Sequence, residues 1–220
     1  MRKPLAQTQT GPLVLDTAER LFAERGFSAV SLREVAREAG VAVSSVIYHY
    51  EDKFGLLAEI YDRHTRPMNA RRAELLGEAT RIADRSDRLT AILRAYLIPA
   101  FRSSGDETGG GARFTRLRAM LSAEADPKVR GIIAASFDAT TRQFLDAIGD
   151  CLPGAERGAI VWQAQFLLGG LYYTLVNPER IARLSDGTED AADHDRAIAM
   201  LIAAAHAAFL ALVPEETDAG

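Results

Sequence analysis

Hydrophobic residues of this 220-residue chain recur at steps of three and four positions along almost its whole length. That spacing places apolar side chains on one face of an α-helix, whereas a half-buried strand shows strict alternation. Val, Ile and Thr do not gather in alternating runs joined by hairpin turns. The pattern therefore predicts an all-α fold.

The first quarter of the chain predicts a flexible arm over 1–11 and then four helices. A first helix carries an apolar face and ends at Gly26, which suits a C-cap. Ser31 begins a second helix, because Ser31 and Glu34 have the spacing of a capping box. A third helix covers about 43–50, and Asp52 is placed to cap a fourth.

Longer amphipathic segments fill the remainder of the chain, and Pro and Gly clusters separate them. Pro127 behind Asp126 suits a first-turn proline preceded by a capping aspartate. The predicted helices cover roughly 67–82, 87–102, 112–125, 127–150, 156–176 and 192–213.

The stretch from Ser31 to Lys53 has the residue types of a helix-turn-helix at the required spacing. Ala36 is small where the two helices cross, and Gly40 lies at the turn where a positive φ is needed. Val41 and Val46 fill the space between the helices. Any tight pair of short helices could show some of these features, so the neighbouring residues decide the interpretation.

Those neighbouring residues, Asp16 to Phe27 and Tyr48 to Lys53, together with the helix-turn-helix itself, resemble the tetracycline-repressor (TetR) family. The likeness runs without a gap from Asp16 to Lys53. It implies an N-terminal three-helix DNA-binding domain over 12–54. A long helix joins it to a larger helical ligand-binding and dimerisation domain over 55–214, and a disordered tail follows at 215–220. The implied function is transcriptional repression by a homodimer on palindromic DNA, relieved by a small, largely apolar or amphipathic effector.

The resemblance also implies which residues touch DNA. Four side chains match contacts to the DNA backbone: the hydroxyl of the second-helix cap Ser31, Arg33 within that helix, the imidazole of His49 and Lys53 at the start of the fourth helix. For Arg33, a base edge is the alternative contact. Other residues form the groove-facing surface of the recognition helix. The set is Ser31, Arg33, Val43, Ser44, Ser45, Tyr48, His49 and Lys53.

The match has departures that affect recognition. Ile47 stands where the family often has a phosphate-binding tyrosine, and Ala42 replaces the serine cap of the third helix. The recognition surface also lacks the arginine and asparagine side chains that read bases bidentately. Serine hydroxyls, apolar contacts to thymine methyl groups and DNA shape must then supply specificity.

Aromatic residues recur on the helical faces of the C-terminal region, and two interpretations stay open for them. Most belong to a core that excludes water. A sensing domain also encloses an apolar pocket with a few polar groups, and Arg118 could pair with an acidic head group. The candidate lining is Tyr96, Phe114, Leu117, Arg118, Leu121, Phe137, Trp162, Phe166 and Tyr173. The segments 156–176 and 192–213, rich in Ala, Leu and Gly, are predicted to form the dimer interface.

Charge and composition set limits on these predictions. The net charge is −4, and seven basic residues balance seven acidic ones up to Phe54, so overall charge does not favour DNA binding. The single cysteine, Cys151, fits a buried residue in a reducing cytoplasm, and no secretion signal is recognised. The most membrane-like stretch, 197–213, is short and contains His206, which favours a helical interface over a membrane span.

Two rival functions follow from the same residues. An all-helical enzyme is disfavoured because we find no nucleophile elbow, no metal-ligand spacing and no clustered acid–base set, and no cofactor is predicted. Metal binding at Asp193-His194-Asp195 is disfavoured relative to a loop or helix start. A helical adaptor that has lost DNA binding stays open because of Ile47.

Overall fold

The computed structural model describes residues 7–102, 110–190 and 192–214, and within them it contains ten helices and no strand. The predicted all-α class is confirmed. The predicted arm at 1–6 and tail at 215–220 lie outside the described residues. The helices are α1 (Gln7–Arg25), α2 (Leu32–Ala39), α3 (Val43–Tyr50), α4 (Lys53–Ala79), α5 (Arg85–Phe101), α6 (Gly110–Ser122), α7 (Pro127–Cys151), α8 (Arg157–Val176), α9 (Glu179–Leu184) and α10 (His194–Leu210).

The described residues form two compact units. The first consists of the described chain up to Arg66 together with Leu117–Ser136, and the second contains the other described residues. Helices α4, α6 and α7 therefore contribute residues to both units. The sequence placed the end of the DNA-binding domain at residue 54 and assigned no later segment to it.

In the first unit, α1 packs against α2 and α3. Val14, Leu21 and Phe22 of α1 are fully buried, as the three- and four-residue spacing predicts. Phe22 meets Phe27 edge-on, with 5.1 Å between ring centroids. Gly26 adopts φ 83° and ends α1, in agreement with the predicted C-cap.

Helix α1 begins at Gln7, so the prediction of a flexible arm is wrong for residues 7–11. Gly11 and Pro12 normally weaken a helix. Here the Tyr50 hydroxyl donates a hydrogen bond to the Gly11 carbonyl oxygen at 2.7 Å. This contact from α3 holds the start of α1 in place, and its partners are 39 residues apart in sequence, beyond the reach of local pattern.

Helix α4 is also longer than predicted, because it runs through Pro67 without a break. Local pattern separated a helix after Asp52 from one starting near 67. Residues on both sides of the proline are buried, Tyr61 and Met68 among them, so packing stabilises the helix before and after Pro67. Tertiary packing here outweighs the intrinsic penalty of a proline inside a helix.

The second unit is built around α10, which packs against α5 and α8. Its buried core includes Leu89 and Ile92 of α5, Leu171 of α8 and Phe209 of α10. Helices α8 and α10 approach closely, because a Cβ at Gly170 would lie 3.1 Å from the Leu201 side chain. The short helix α9 lies in the stretch that the sequence treated as a break.

Cys151 is 3% exposed, which confirms the predicted buried thiol. Burial raises the pKa of this thiol. Among the described residues no group of three His, Cys, Asp or Glu side chains is arranged to hold a metal. Asp193 caps α10 through the Arg196 N–H at 3.0 Å, so this segment is a helix start.

Candidate nucleic-acid interface

One face of the recognition helix α3 packs against α1 and α2, and its outer face is exposed. Val46 is fully buried and Ala36 of α2 is 1% exposed, so these two small residues form the crossing. Gly40 adopts φ 68° at the turn, and the Val41 N–H donates to the Ala36 carbonyl oxygen at 3.0 Å. These contacts confirm the helix-turn-helix geometry that the sequence predicted.

The outer face of α3 carries Ser44, Ile47, Tyr48 and His49, all exposed. The Tyr48 side chain is 85% exposed, so it is not part of the core. The centroid of its ring lies 5.3 Å from the ring centroid of His49. Ile47 is 49% exposed, so an apolar side chain occupies part of this surface. Val43 and Ser45 are half-buried at its edge.

Ser31 and Arg33 lie at the start of α2. The Ser31 hydroxyl oxygen accepts a hydrogen bond from the Glu34 N–H at 3.2 Å, and the Glu34 carboxylate accepts one from the Ser31 N–H at 3.5 Å. The predicted capping box is thus present, and Ser31 remains exposed. Arg33, two residues further along the chain, is also exposed. Helix α3, in contrast, has no side-chain cap at Ala42.

The Lys53 ammonium points toward the body of the domain. It donates to the carbonyl oxygens of Phe27 at 2.8 Å and Val30 at 2.9 Å, and it lies 4.1 Å from the Phe27 ring centroid. Burial lowers the pKa of Lys53, and the nearby negative charges of Glu124 and Asp126 oppose that shift. Two of its three N–H donors are therefore occupied within the protein.

The joint between α3 and α4 is unusually tight. Glu51 adopts φ 62° and ψ −63°, and the Asp52 N–H donates to the Tyr50 carbonyl oxygen at 2.7 Å. This geometry is a classic γ-turn, which is rare and strained. A Cβ at Gly55 would lie 2.1 Å from that same carbonyl oxygen, so only glycine fits there. Asp52 caps α4 as predicted, accepting the Gly55 N–H at 2.8 Å.

An ion-pair cluster centred on the buried Glu19 joins α1 to α4, and sequence reasoning did not identify it. Glu19 is 7% exposed and contacts both Arg63 and His64, with 2.9 Å between its carboxylate and the imidazole Nε2. Arg63 also pairs with Asp16. Burial raises the pKa of Glu19, but the hydrogen bonds and charges of His64 and Arg63 outweigh it and lower the pKa.

The candidate effector residues do not share one environment. Phe114 and Phe137 are buried in the second unit, where Tyr96 is half-buried. Leu117, Arg118 and Leu121 are buried in the first unit. Trp162, Phe166 and Tyr173 are 56–63% exposed along α8, so the structure does not bring them together with the buried candidates within one chain. Buried and exposed apolar side chains share the same periodicity, and the sequence could not separate them.

Two further features of the second unit escaped the sequence analysis. Arg72 is 1% exposed, lies 4.2 Å from the Tyr96 ring centroid, and donates from Nε and a terminal nitrogen to the Tyr96 carbonyl oxygen. An open cavity of about 360 Å³ lies among α8, α9 and α10, with a largely apolar lining that includes Thr174, Ile181 and Met200. Its lining comes from distant segments, so no local motif marks it.

Helix α8 is the one helix of the described chain that is long and apolar enough to cross a bilayer. The sequence instead singled out 197–213 as the most membrane-like stretch. Length and composition are weak evidence, because helices inside soluble proteins pass the same test.

Comparison with known proteins now places the molecule. A family model for the C-terminal domain of tetracycline-repressor-like proteins matches residues 94–208, and one for the N-terminal region of TetR-family bacterial regulatory proteins matches residues 14–60. The chain belongs to the TetR family. Together the two models cover the helix-turn-helix and more than half of the residues that follow it. The resemblance seen in the first quarter of the chain therefore extends into the C-terminal region.

Individual relatives of this TetR-family protein support the assignment. The HTH-type transcriptional regulator AcrR of Shigella flexneri is 41% identical over 54 residues, 24% of this chain and 25% of AcrR. A Rhodococcus sp. structure described as a TetR-family transcriptional regulator gives a TM-score of 0.61 at 19% identity, covering 91% of this chain and 99% of that one. FadR of Bacillus subtilis in complex with stearoyl-CoA gives 0.51 at 15% identity, covering 92% and 97%.

The sequence alignments are short relative to the relatives themselves. This chain covers 25%, 38% and 32% of the lengths of three curated relatives that it matches. The structural likenesses lie below 25% identity and establish the fold alone.

Proposed function

We propose that this protein is a DNA-binding transcriptional repressor that uses α3 to read the major groove. The observation that carries the proposal is the exposed outer face of α3, on which Tyr48 and His49 stand above a buried Val46. An aromatic ring that is 85% exposed contributes nothing to the core of its own domain. It is available for apolar contact and hydrogen bonding at a groove.

The backbone contacts follow from the same surface. Ser31, Arg33 and His49 supply exposed hydroxyl, guanidinium and imidazole groups, and the start of α4 supplies backbone N–H groups for a phosphate. Lys53 adds positive charge close to that helix start, although two of its donors are internally bound. Ser44, Ser45 and Val43 provide small groups that tolerate close approach to base edges.

DNA selection tests the proposal directly. The purified protein is incubated with a random duplex library, and retained fragments are sequenced after several rounds. We expect enrichment of an inverted repeat with half-sites about one helical turn apart, because a two-fold dimer presents two recognition helices. No enriched sequence would contradict DNA reading and favour the adaptor alternative.

We further propose that α8 and α10 form the homodimer interface. Helix α8 exposes Trp162, Phe166 and Tyr173 in one row, and α10 exposes Met200 and Leu210 together with alanines such as Ala203 and Ala207. Apolar faces on two neighbouring helices can pack against the same faces of a second copy across a two-fold axis. A contiguous exposed apolar face of this kind marks an interaction site.

Sedimentation of two matched variants tests the interface. Trp162→Glu places a charge in the proposed interface and should give monomers at micromolar concentration. Tyr48→Glu makes the same kind of change at an exposed aromatic residue of α3 and should remain dimeric. A dimeric Trp162→Glu variant, or a monomeric wild type, would refute the interface.

The effector is proposed to be a small apolar or amphipathic molecule bound by the C-terminal helices. Two aromatic rings near Arg72, the half-buried Tyr96 and the buried Phe137, combine an apolar environment with one positive charge, which suits an acyl chain with an acidic group. FadR, a protein of the same fold, was crystallised with stearoyl-CoA. Stearoyl-CoA and stearate should raise the thermal unfolding temperature and release DNA, and absence of both effects across chain lengths would contradict this class.

A further inference from the structure

The turn between α6 and α7 lies against the DNA-binding helices within the first unit. We call residues 123–126 the acidic turn, since it contains Glu124 and Asp126. The Ser28 hydroxyl, in the connection between α1 and α2, donates to the Glu124 carboxylate at 2.8 Å. These residues are 96 positions apart, so the contact joins two distant parts of the chain.

A second contact seats the same segment at the start of α4. The Lys128 ammonium lies 4.9 Å from the ring centroid of Phe54, and Val129 next to it is fully buried. Asp126 caps α7 by accepting the Lys128 N–H at 2.8 Å, which fixes the direction of the turn. Hydrogen bonding, cation–π contact and burial together dock the acidic turn on this domain.

Docking brings two carboxylates into the field of Lys53. The negative charges of Glu124 and Asp126 both act on the Lys53 ammonium. Lys53 lies at the first residue of α4, where the helix N-terminus favours an anion. The acidic turn therefore places negative charge next to the position that a DNA phosphate is proposed to occupy.

We infer that the docked acidic turn is an internal competitor for the DNA backbone, which lowers affinity by compensating the positive charge of Lys53 that a phosphate at the start of α4 would otherwise meet. The inference rests on the proposed DNA-binding function. Glu124 is a positioning residue here, acting through Lys53. The remaining residues of α6 and α7 belong to the second unit, so an effector that favours the docked turn would weaken DNA binding.

Fluorescence anisotropy with matched charge variants tests this inference. The probe is a labelled duplex enriched by the wild-type protein, measured at low and at moderate salt. Glu124→Gln keeps the hydrogen-bonding shape but removes the charge, and should tighten binding about three- to tenfold at low salt. Asp126→Asn keeps a capping side chain and should act in the same direction. Added salt should shrink both gains, because exposed charges are screened.

Glu78→Gln is the control for net charge, since Glu78 is an exposed residue near the end of α4 with no contact to the acidic turn among the described interactions. It should change affinity less than twofold. Repeating Glu124→Gln in a Lys53→Met background should abolish the gain, which a merely structural role for Glu124 would not do. Ser28→Ala, which loosens the turn but keeps its charge, should give a smaller gain.

Equal changes in DNA affinity for Glu124→Gln and Glu78→Gln would overturn the proposal that the acidic turn competes with DNA. A gain in affinity that persists in the Lys53→Met background would overturn it as well. Either result leaves the proposed DNA-binding function intact, because the wild-type protein still binds the duplex. Failure of the wild-type protein to enrich any duplex would instead overturn both.

Discussion

The ion pairs between α1 and α4 offer a prediction whose size follows from burial. Glu19→Gln removes the charge that faces Arg63 and His64 while keeping the side-chain volume. Breaking a fully buried pair costs about 3–5 kcal/mol, and an exposed pair contributes about 0–1 kcal/mol. Glu19 is nearly buried, but Arg63 is one-third exposed and keeps Asp16 as a partner. We therefore expect a loss of about 2 kcal/mol in the free energy of unfolding at pH 7.

The sign of the pH dependence follows from the lowered pKa of Glu19. Its ordinary pKa is 4.5, and the folded-state value lies below that. The ionised carboxylate thus stabilises the fold fully above about pH 4.5, and this contribution is lost as the pH falls through the folded-state pKa. The difference between wild type and Glu19→Gln should shrink toward zero once the pH falls below the folded-state pKa of Glu19.

Urea unfolding followed by circular dichroism at several pH values measures both effects. Glu24→Gln is the control, because Glu24 lies on the same helix and pairs with Arg20, with both side chains about half exposed. It should cost less than about 0.5 kcal/mol. Equal stability of the two variants at pH 7, or a Glu19→Gln deficit that is unchanged in acid, would show that the Glu19 ion pairs do not stabilise the fold as described.

Three further predictions test individual contacts of the domains. Lys53→Ala should lower the free energy of unfolding by about 1.5–3 kcal/mol, since it leaves the Phe27 and Val30 carbonyl oxygens without a charged donor; a loss below about 0.5 kcal/mol in urea unfolding would show that these bonds are not formed. Gly40→Ala should cost about 1–2 kcal/mol, because φ 68° is unfavourable for alanine, and an unchanged midpoint in thermal unfolding would argue against the turn geometry. The Cys151 thiol, buried and with a raised pKa, should react with a thiol reagent only after denaturant is added, whereas fast reaction of the native protein would contradict its burial.

The helix-turn-helix was readable from sequence because its constraints are local. Gly40 must adopt a positive φ, Ser31 must cap a helix, and Val46 must fill a crossing a few residues away. Each requirement selects a residue type at a fixed spacing. The exposed surface of α3 follows from the same spacing, which is why its residues could be named before the fold was known.

Contacts between distant segments could not be predicted in this way. Glu19 and Arg63 lie 44 residues apart, and Ser28 and Glu124 lie 96 apart. Surface and buried charges look alike in a sequence, so neither the ion-pair cluster nor the acidic turn was distinguishable from a solvated face. The same limit explains the start of α1, where Tyr50 stabilises a turn that Gly11 and Pro12 would otherwise weaken.

The effector region shows a different limit. Phe114 and Trp162 both occur on apolar helical faces, yet one is fully buried and the other is 63% exposed. Periodicity reveals that a face is apolar and does not reveal what covers it. Only the packed structure separates the core of the second unit from the exposed row on α8.

The central claim is that the outer face of α3 reads DNA, and an anisotropy titration of Tyr48→Ala against wild type tests it most directly. Both proteins are titrated into an enriched duplex and into a shuffled duplex of equal length. We predict at least about tenfold weaker binding of the enriched duplex by the variant, with little change on the shuffled one, because groove contacts carry specificity and phosphate contacts do not. Equal affinity of the two proteins for the enriched duplex, with the variant still dimeric, would contradict the account.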